Sequence, residues 1–227
     1  MEYLLDTGNI EEIKSINNLF PLSGVTTNPT IIAAEKKEFE KIVRDILGVI
    51  GDKKMLHIQV LGRTAEIMVE EAEKLRDRFQ GNLYIKVPVS MEGLKAISML
   101  KQNGFMVTAT GILTSEQIVA AAKAGADYMA PYVNRVDNIG SDGIRVVKEA
   151  YEVLSRDKKK SSKILGASYK NIRQVHDSIL AGAEAVTLPP DILKQMVYHP
   201  YTDWSIEKFE NDWAKVYGRG KTLVDIL

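Results

Sequence analysis

Cysteine is absent from the chain, which excludes disulfides, thiolate nucleophiles and Cys-ligated metals. Histidine is scarce. His57, His176 and His199 are the three present, and no two of them stand at a metal-ligand spacing such as HExxH. A metal held by carboxylates alone stays open. Neither sign of charge is in excess, because 30 Lys and Arg balance 30 Asp and Glu. That argues against nucleic acid or a membrane surface as partner, since both select a basic excess. No apolar run reaches the roughly 18 residues of a membrane span, and the opening MEYLLDT lacks a basic segment followed by an apolar one. The expectation is a cytoplasmic protein with no membrane partner. What the chain does have is an ordinary globular balance, 45% hydrophobic and 26% charged, over 227 residues, which fits one sizeable domain.

Short apolar runs alternate with longer amphipathic stretches throughout. Strands are predicted at Tyr3–Asp6, Leu22–Thr26, Met55–Val60, Leu83–Val87, Phe105–Thr110, Tyr128–Tyr132, Lys163–Ser168 and Glu184–Leu188. Helices are predicted near 9–19, 39–50, 64–79, 91–102, 114–124, 140–156 and 171–181, with an eighth after Pro190. Thr114 to Gln117 form a capping box, and Gly104, Gly125 and Gly182 stand where helices end. Repeated βα units imply a parallel sheet, and eight of them imply a closed (β/α)8 barrel spanning 1–227 as one domain. RDKKKSSK, over 156–163, reads as a solvated polar turn. Beyond Pro200, Trp204, Phe209, Trp213 and Tyr217 share one face of a last helix, which packs either on its own barrel or on a neighbouring subunit.

Strand side chains alternate between faces. In strand four, Leu83, Ile85 and Val87 form an apolar face, and Asn82, Tyr84 and Lys86 oppose it. The last inward residue of each strand, taken in the same way, gives Asp6, Thr26, Gln59, Lys86, Thr110, Tyr132 and Ser168, with Asn28 just past strand two. A polar ring at the C-terminal ends of barrel strands is where such enzymes place their chemistry. Lys86 stands out. Burial lowers the pKa of an ammonium and frees an amine that can attack a carbonyl; alternatively its stem is buried and its head pairs with Asp6. An ionised Asp6 close by opposes activation, so both roles require the two groups to be offset. Tyr132 and Gln59 can hold a water and relay a proton, with Thr110 as a third contact; Tyr132 can equally be a packed aromatic. Arg135, after strand six, offers a fork of donors to an anion, and Ser168 precedes a helix start favoured by phosphate. His57 and His176 read as structural.

The strings LLDT, GVTTNPTII, QV, IKVPV, EGLKAI, TAT, AGADYMAPYVNR and LGASYKN, in this order, resemble the fructose-6-phosphate aldolases and the similar small transaldolases, from Met1 to about Tyr217. The resemblance implies metal-free class I chemistry with no cofactor and a sugar phosphate as substrate. It implies Lys86 as the Schiff-base residue and Asp6 at the hydroxyl next to the bond cut. Tyr132, Gln59 and Thr110 would manage the catalytic water, Asn28 the substrate hydroxyls, and Arg135 with Ser168 the phosphate. Similar proteins are homo-pentamers or homo-decamers whose last helix reaches a neighbour. Transaldolases tend to carry Glu at the position of Gln59 and Phe at that of Tyr132, so the resemblance favours the aldolase. Gly111 and Leu113 depart from the Ala and Tyr usual in related aldolases. The rival readings are a transaldolase and a non-catalytic barrel that binds a sugar phosphate.

Overall fold

The computed structural model describes residues 1–157 and 161–227. The polar turn expected over 156–163 therefore falls partly outside the described residues. In chain order the strands and helices are β1 (Glu2–Asp6), α1 (Ile10–Leu19), β2 (Gly24–Thr26), α2 (Pro29–Ala34), α3 (Phe39–Ile50), β3 (Met55–Gln59), α4 (Ala65–Arg78), β4 (Asn82–Pro88), α5 (Met91–Gln102), β5 (Met106–Ile112), α6 (Ser115–Ala124), β6 (Tyr128–Pro131), α7 (Val133–Asn138), α8 (Gly143–Leu154), β7 (Lys163–Gly166), α9 (Ile172–Leu180), β8 (Ala185–Leu188), α10 (Pro190–Val197) and α11 (Pro200–Tyr217). The strands close in sequence order into a parallel barrel, with β8 returning to β1. The chain divides into two compact units, Met1–Ile192 and Leu193–Leu227.

Local chemistry explains most boundaries. Asn9, Thr64, Ser90, Asp142 and Asn171 each place a side-chain oxygen on a free N–H of the helix they precede. Thr114 and Gln117 form the reciprocal capping box that the sequence announces, and Gly125 ends α6 in the left-handed conformation. Two short helices escape the sequence reading. Helix α2 follows Asn28, whose side chain accepts from the Ile31 N–H, with Pro29 in the first turn. Helix α7 begins directly after β6, so β6 stops at Pro131, and Tyr132 joins β7 only through an isolated bridge to Ala167.

The barrel wall has two faces of opposite parity. Outward residues such as Leu5, Val25, Leu56, Ile58, Ile85, Val87 and Val107 are buried beneath the helices. Inward, Leu4, Met55, Tyr84, Tyr128, Ala130, Leu165, Ala167 and Ala185 form a packed cluster, with Tyr132 against it. His57 lies among them, its ring stacked on Tyr84 at 4.7 Å and tilted against Tyr128 at 5.6 Å. Its Nδ1 lies 2.9 Å from Thr108 Oγ1. At the N-terminal end, Glu2 accepts from Tyr128 Oη and from Lys163 Nζ, both at 2.6 Å. The lower interior is thus filled and closed, and the opposite end remains for chemistry.

In the second unit, α11 starts after His199 and Pro200 and has no buried residue. Trp204, Phe209 and Tyr217 are exposed. Within the helix, the Trp213 ring lies tilted against Tyr217, with centroids 4.2 Å apart.

Candidate active site

Parallel register sets the site. Asp6 pairs with Thr26 across β1 and β2, Gln59 with Lys86 across β3 and β4, and Pro88 with Thr110 across β4 and β5. Tyr84 belongs to the interior cluster, so strand alternation turns Lys86, two residues on, to the same side. Lys86 is only 5% exposed, and its Nζ donates to the Thr27 carbonyl at 2.7 Å. Burial depresses its pKa below the ordinary lysine value; the charge of Asp6 acts the other way and is the smaller influence. Among the described residues no ion pair joins Asp6 to Lys86, although the two carry the opposite charges the sequence places at the same barrel end.

Asp6 is instead engaged by a chain of hydroxyls. Thr26 Oγ1 donates to Asp6 Oδ1 at 2.6 Å, and Thr26 Oγ1 lies 2.6 Å from Thr187 Oγ1. Thr26 and Thr187 are both buried. Thr187 completes the polar ring as the last inward residue of β8, and the sequence reading passed over it. Its signal is the single polar residue in AVTL, at the parity of Ala185. Beside Thr26, Thr27 donates from Oγ1 to the His57 carbonyl at 2.9 Å, which fixes the carbonyl-bearing segment that holds Lys86. Burial, and secondarily the charge of Lys86, pushes His57 well below the usual histidine range, so it is a neutral ring beneath the amine.

On the other side, Tyr132 Oη lies 2.9 Å from Thr110 Oγ1. The Arg135 guanidinium sits over the Tyr132 ring at 4.5 Å, a cation–π contact from an exposed side chain. Gln59 is half-buried at the end of β3; among the described residues no hydrogen bond joins it to Tyr132. Asn28 spends its carbonyl oxygen on the α2 cap, which leaves its amide N–H groups as donors.

Ser168 requires a correction. It is not the last inward residue of β7, because that strand ends at Gly166, and the residues of this stretch in the interior cluster are Leu165 and, just past the strand, Ala167. The chain bends where the expected alternation stops. A Cβ at Gly166 would stand 1.9 Å from Tyr169 Oη, so the backbone there gives way to the Tyr169 side chain, and Ser168 takes a left-handed φ of 62°. Ser168 still faces the α7 end of the site: its carbonyl accepts from Asn134 N at 3.2 Å, one residue before Arg135. Gln174 of α9 binds Asn134 Oδ1 at 3.1 Å and Asp137 Oδ2 at 2.6 Å, which ties the start of α9 to α7.

Strand β5 changes register between Ala109 and Ile112, and Gly111 there has φ 70°. Beside it a cavity of about 380 Å³ is lined by Gly111, Leu113, Tyr132, Arg135, Asn138 and Ile139. Among the described residues no cluster of three or more His, Asp or Glu is placed to hold a metal ion, and no helix is long and apolar enough to cross a membrane.

The barrel resembles solved structures of a flavocytochrome b2 double mutant. One, with pyruvate bound, aligns at 15% identity and a TM-score of 0.59; the other, with sulfite bound, at 14% and 0.60. Each match covers 83% of this chain and 56% of the other, so the chain spans just over half the length of these proteins. At that identity the likeness concerns the barrel alone. The model of the family described as transaldolase/fructose-6-phosphate aldolase matches residues 3–220. That match runs through every strand of the barrel and through the residues of the polar ring: the chain belongs to the transaldolase/fructose-6-phosphate aldolase family.

Proposed function

We propose that the protein is a class I aldolase that cleaves fructose 6-phosphate to dihydroxyacetone and glyceraldehyde 3-phosphate, and runs the reverse addition, through a Schiff base on Lys86. The observation that carries this reading is an amine buried to 5% exposure, unpaired with the carboxylate at its own end of the barrel and pushed toward its neutral form by burial. A neutral Nζ adds to the ketone carbon, and loss of water gives an iminium. Asp6 takes the proton of the hydroxyl on the far side of the carbon–carbon bond as that bond breaks. The bonding pair flows into the iminium and leaves an enamine. Proton return and hydrolysis use a water held by Tyr132, with Thr110 at 2.9 Å from the phenol and Gln59 on the adjoining strand. Asn28 and Thr26 face the substrate hydroxyls and Asp6, while Arg135 and Ser168 receive the phosphate from α7 and the β7 end.

In this reading the enzyme is cytoplasmic and needs no metal or cofactor. It forms a homo-pentamer or homo-decamer in which the exposed aromatic face of α11 meets a second copy. Gln59 and Tyr132 favour lyase over transferase chemistry. Borohydride reduction in the presence of fructose 6-phosphate is expected to add the mass of the reduced sugar phosphate to the peptide containing Lys86, and an adduct on another lysine rejects the mechanism. Release of glyceraldehyde 3-phosphate without erythrose 4-phosphate separates the two activities: turnover that requires the acceptor makes the protein a transaldolase.

A further inference from the structure

We infer that Thr187 is a positioning residue that, through Thr26, holds the Asp6 carboxylate away from Lys86. The inference rests on the Schiff-base reading and adds to it a residue on the far side of the barrel seam.

Hydrogen count fixes the polarity of the chain. A threonine hydroxyl has one hydrogen, and an ionised carboxylate has none to give. Thr26 donates its hydrogen to Asp6 Oδ1 at 2.6 Å. Its contact with Thr187, also 2.6 Å, can then only be one in which Thr187 donates and Thr26 accepts. The result is a directed line, Thr187 to Thr26 to Asp6, running across β8, β2 and β1. Both hydroxyls are buried, at 3% and 0% exposure, so bulk water does not compete for them. Without the Thr187 donor, the Thr26 oxygen keeps a buried lone pair unsatisfied and its hydroxyl is free to rotate away from Asp6. The carboxylate is then released at the same barrel end as Lys86, which has taken the Thr27 carbonyl as its partner instead. An ion pair between the released groups would hold the amine protonated and occupy the base at once. The line also assigns the two carboxylate oxygens: Oδ1 is held by Thr26, and Oδ2 is the one available to accept a proton from substrate.

The test replaces Thr187 with Val, which keeps the shape and removes the hydroxyl, and with Ser, which keeps the hydroxyl and loses a methyl. Cleavage of fructose 6-phosphate and borohydride trapping on Lys86 are measured at neutral pH for both variants and for the unaltered chain. Thr187→Val is expected to lower kcat about tenfold or more, as loss of a hydrogen bond supporting a charged group does, with KM within about twofold and slower trapping. Thr187→Ser is expected to stay within about twofold of the unaltered chain in all three. If Val at 187 prevents folding, Thr187→Ala carries the same expected loss. Equal loss in the Ser variant, an effect confined to KM, or no loss in the Val or Ala variant with normal trapping overturns the role of Thr187 while leaving the Schiff base intact. Absence of any Lys86 adduct in the unaltered chain removes both.

Discussion

The two ends of the barrel interior are built from the same parts, a lysine, a carboxylate and a phenol, and use them in opposite ways. At the N-terminal end the three are joined: Lys163 and Tyr128 both donate to Glu2 at 2.6 Å. At the C-terminal end they are kept apart: Asp6 is tethered to Thr26, Lys86 to the Thr27 carbonyl and Tyr132 to Thr110. The first arrangement satisfies every group and leaves nothing reactive. The second satisfies each group with a neutral partner, so the amine and the carboxylate are both held in place and both unspent. A buried Lys86 amine left without the half-buried Asp6 as its ion-pair partner carries a cost in stability, and a site that bears such a cost is a candidate for function.

The largest effect that tests this contrast comes from the phenols. Tyr132→Phe is expected to cut fructose 6-phosphate cleavage by about 10²–10⁴-fold, the usual span for a lost acid or base. Tyr128→Phe is expected to lower the thermal midpoint and leave kcat within about threefold, since it removes only a bond to Glu2 at the closed end. A Tyr132 variant with unchanged kcat would erase the distinction.

Next in size is the neutral ring between the two ends. His57 is held far below the ordinary value by burial, so unfolding takes up a proton that the folded chain refuses. For a base depressed in the fold, stability is complete above the unfolded value near 6.5 and falls as the pH drops through it. Denaturant titrations at pH 7 and pH 5 should show lower stability at pH 5, with His57 contributing to the loss. His57→Asn should flatten that part of the dependence.

The smallest effect concerns the lysines. Lys86→Met should abolish the adduct yet stabilise the fold by about 1 kcal/mol, whereas Lys163→Met should destabilise it slightly through the loss of its pair with Glu2. The sign follows from the depressed Lys86 pKa. Below that pKa the buried ammonium costs its full amount, and the cost fades as the pH rises toward 10.5. The gain from Lys86→Met should therefore shrink in alkali, which calorimetry at neutral and alkaline pH can check.

Much of this was legible in the residues. The alternation in NLYIKVP puts Lys86 and Tyr84 on one side against Leu83, Ile85 and Val87, and a period of two leaves no other arrangement in a closed barrel. The same rule misplaced Ser168, because alternation holds only while the strand lasts and β7 ends two residues before it. Thr187 was missed because AVTL is short and otherwise apolar, so it reads as a buried run and its one polar residue carries little weight. The six-residue helices α2 and α7 lie below the length at which apolar periodicity can be detected. Whether Asp6 and Lys86 pair was beyond the sequence, since it depends on which neighbour each polar atom chooses. That choice is made by hydroxyls on β2 and β8, far apart in the chain.

The left-handed glycine in β5 limits how the mouth of the barrel can be re-tailored. A Cβ added at Gly111 would meet nothing within 4 Å, so the space invites a larger residue, but the φ of 70° makes any L side chain strained there. Changes in the width of the 380 Å³ recess next to Tyr132 and Arg135 must therefore come from Leu113, Asn138 and Ile139, which line it without a left-handed φ. Re-tailoring of this part of the mouth falls to those three positions, because the left-handed backbone at Gly111 closes the fourth to a side chain.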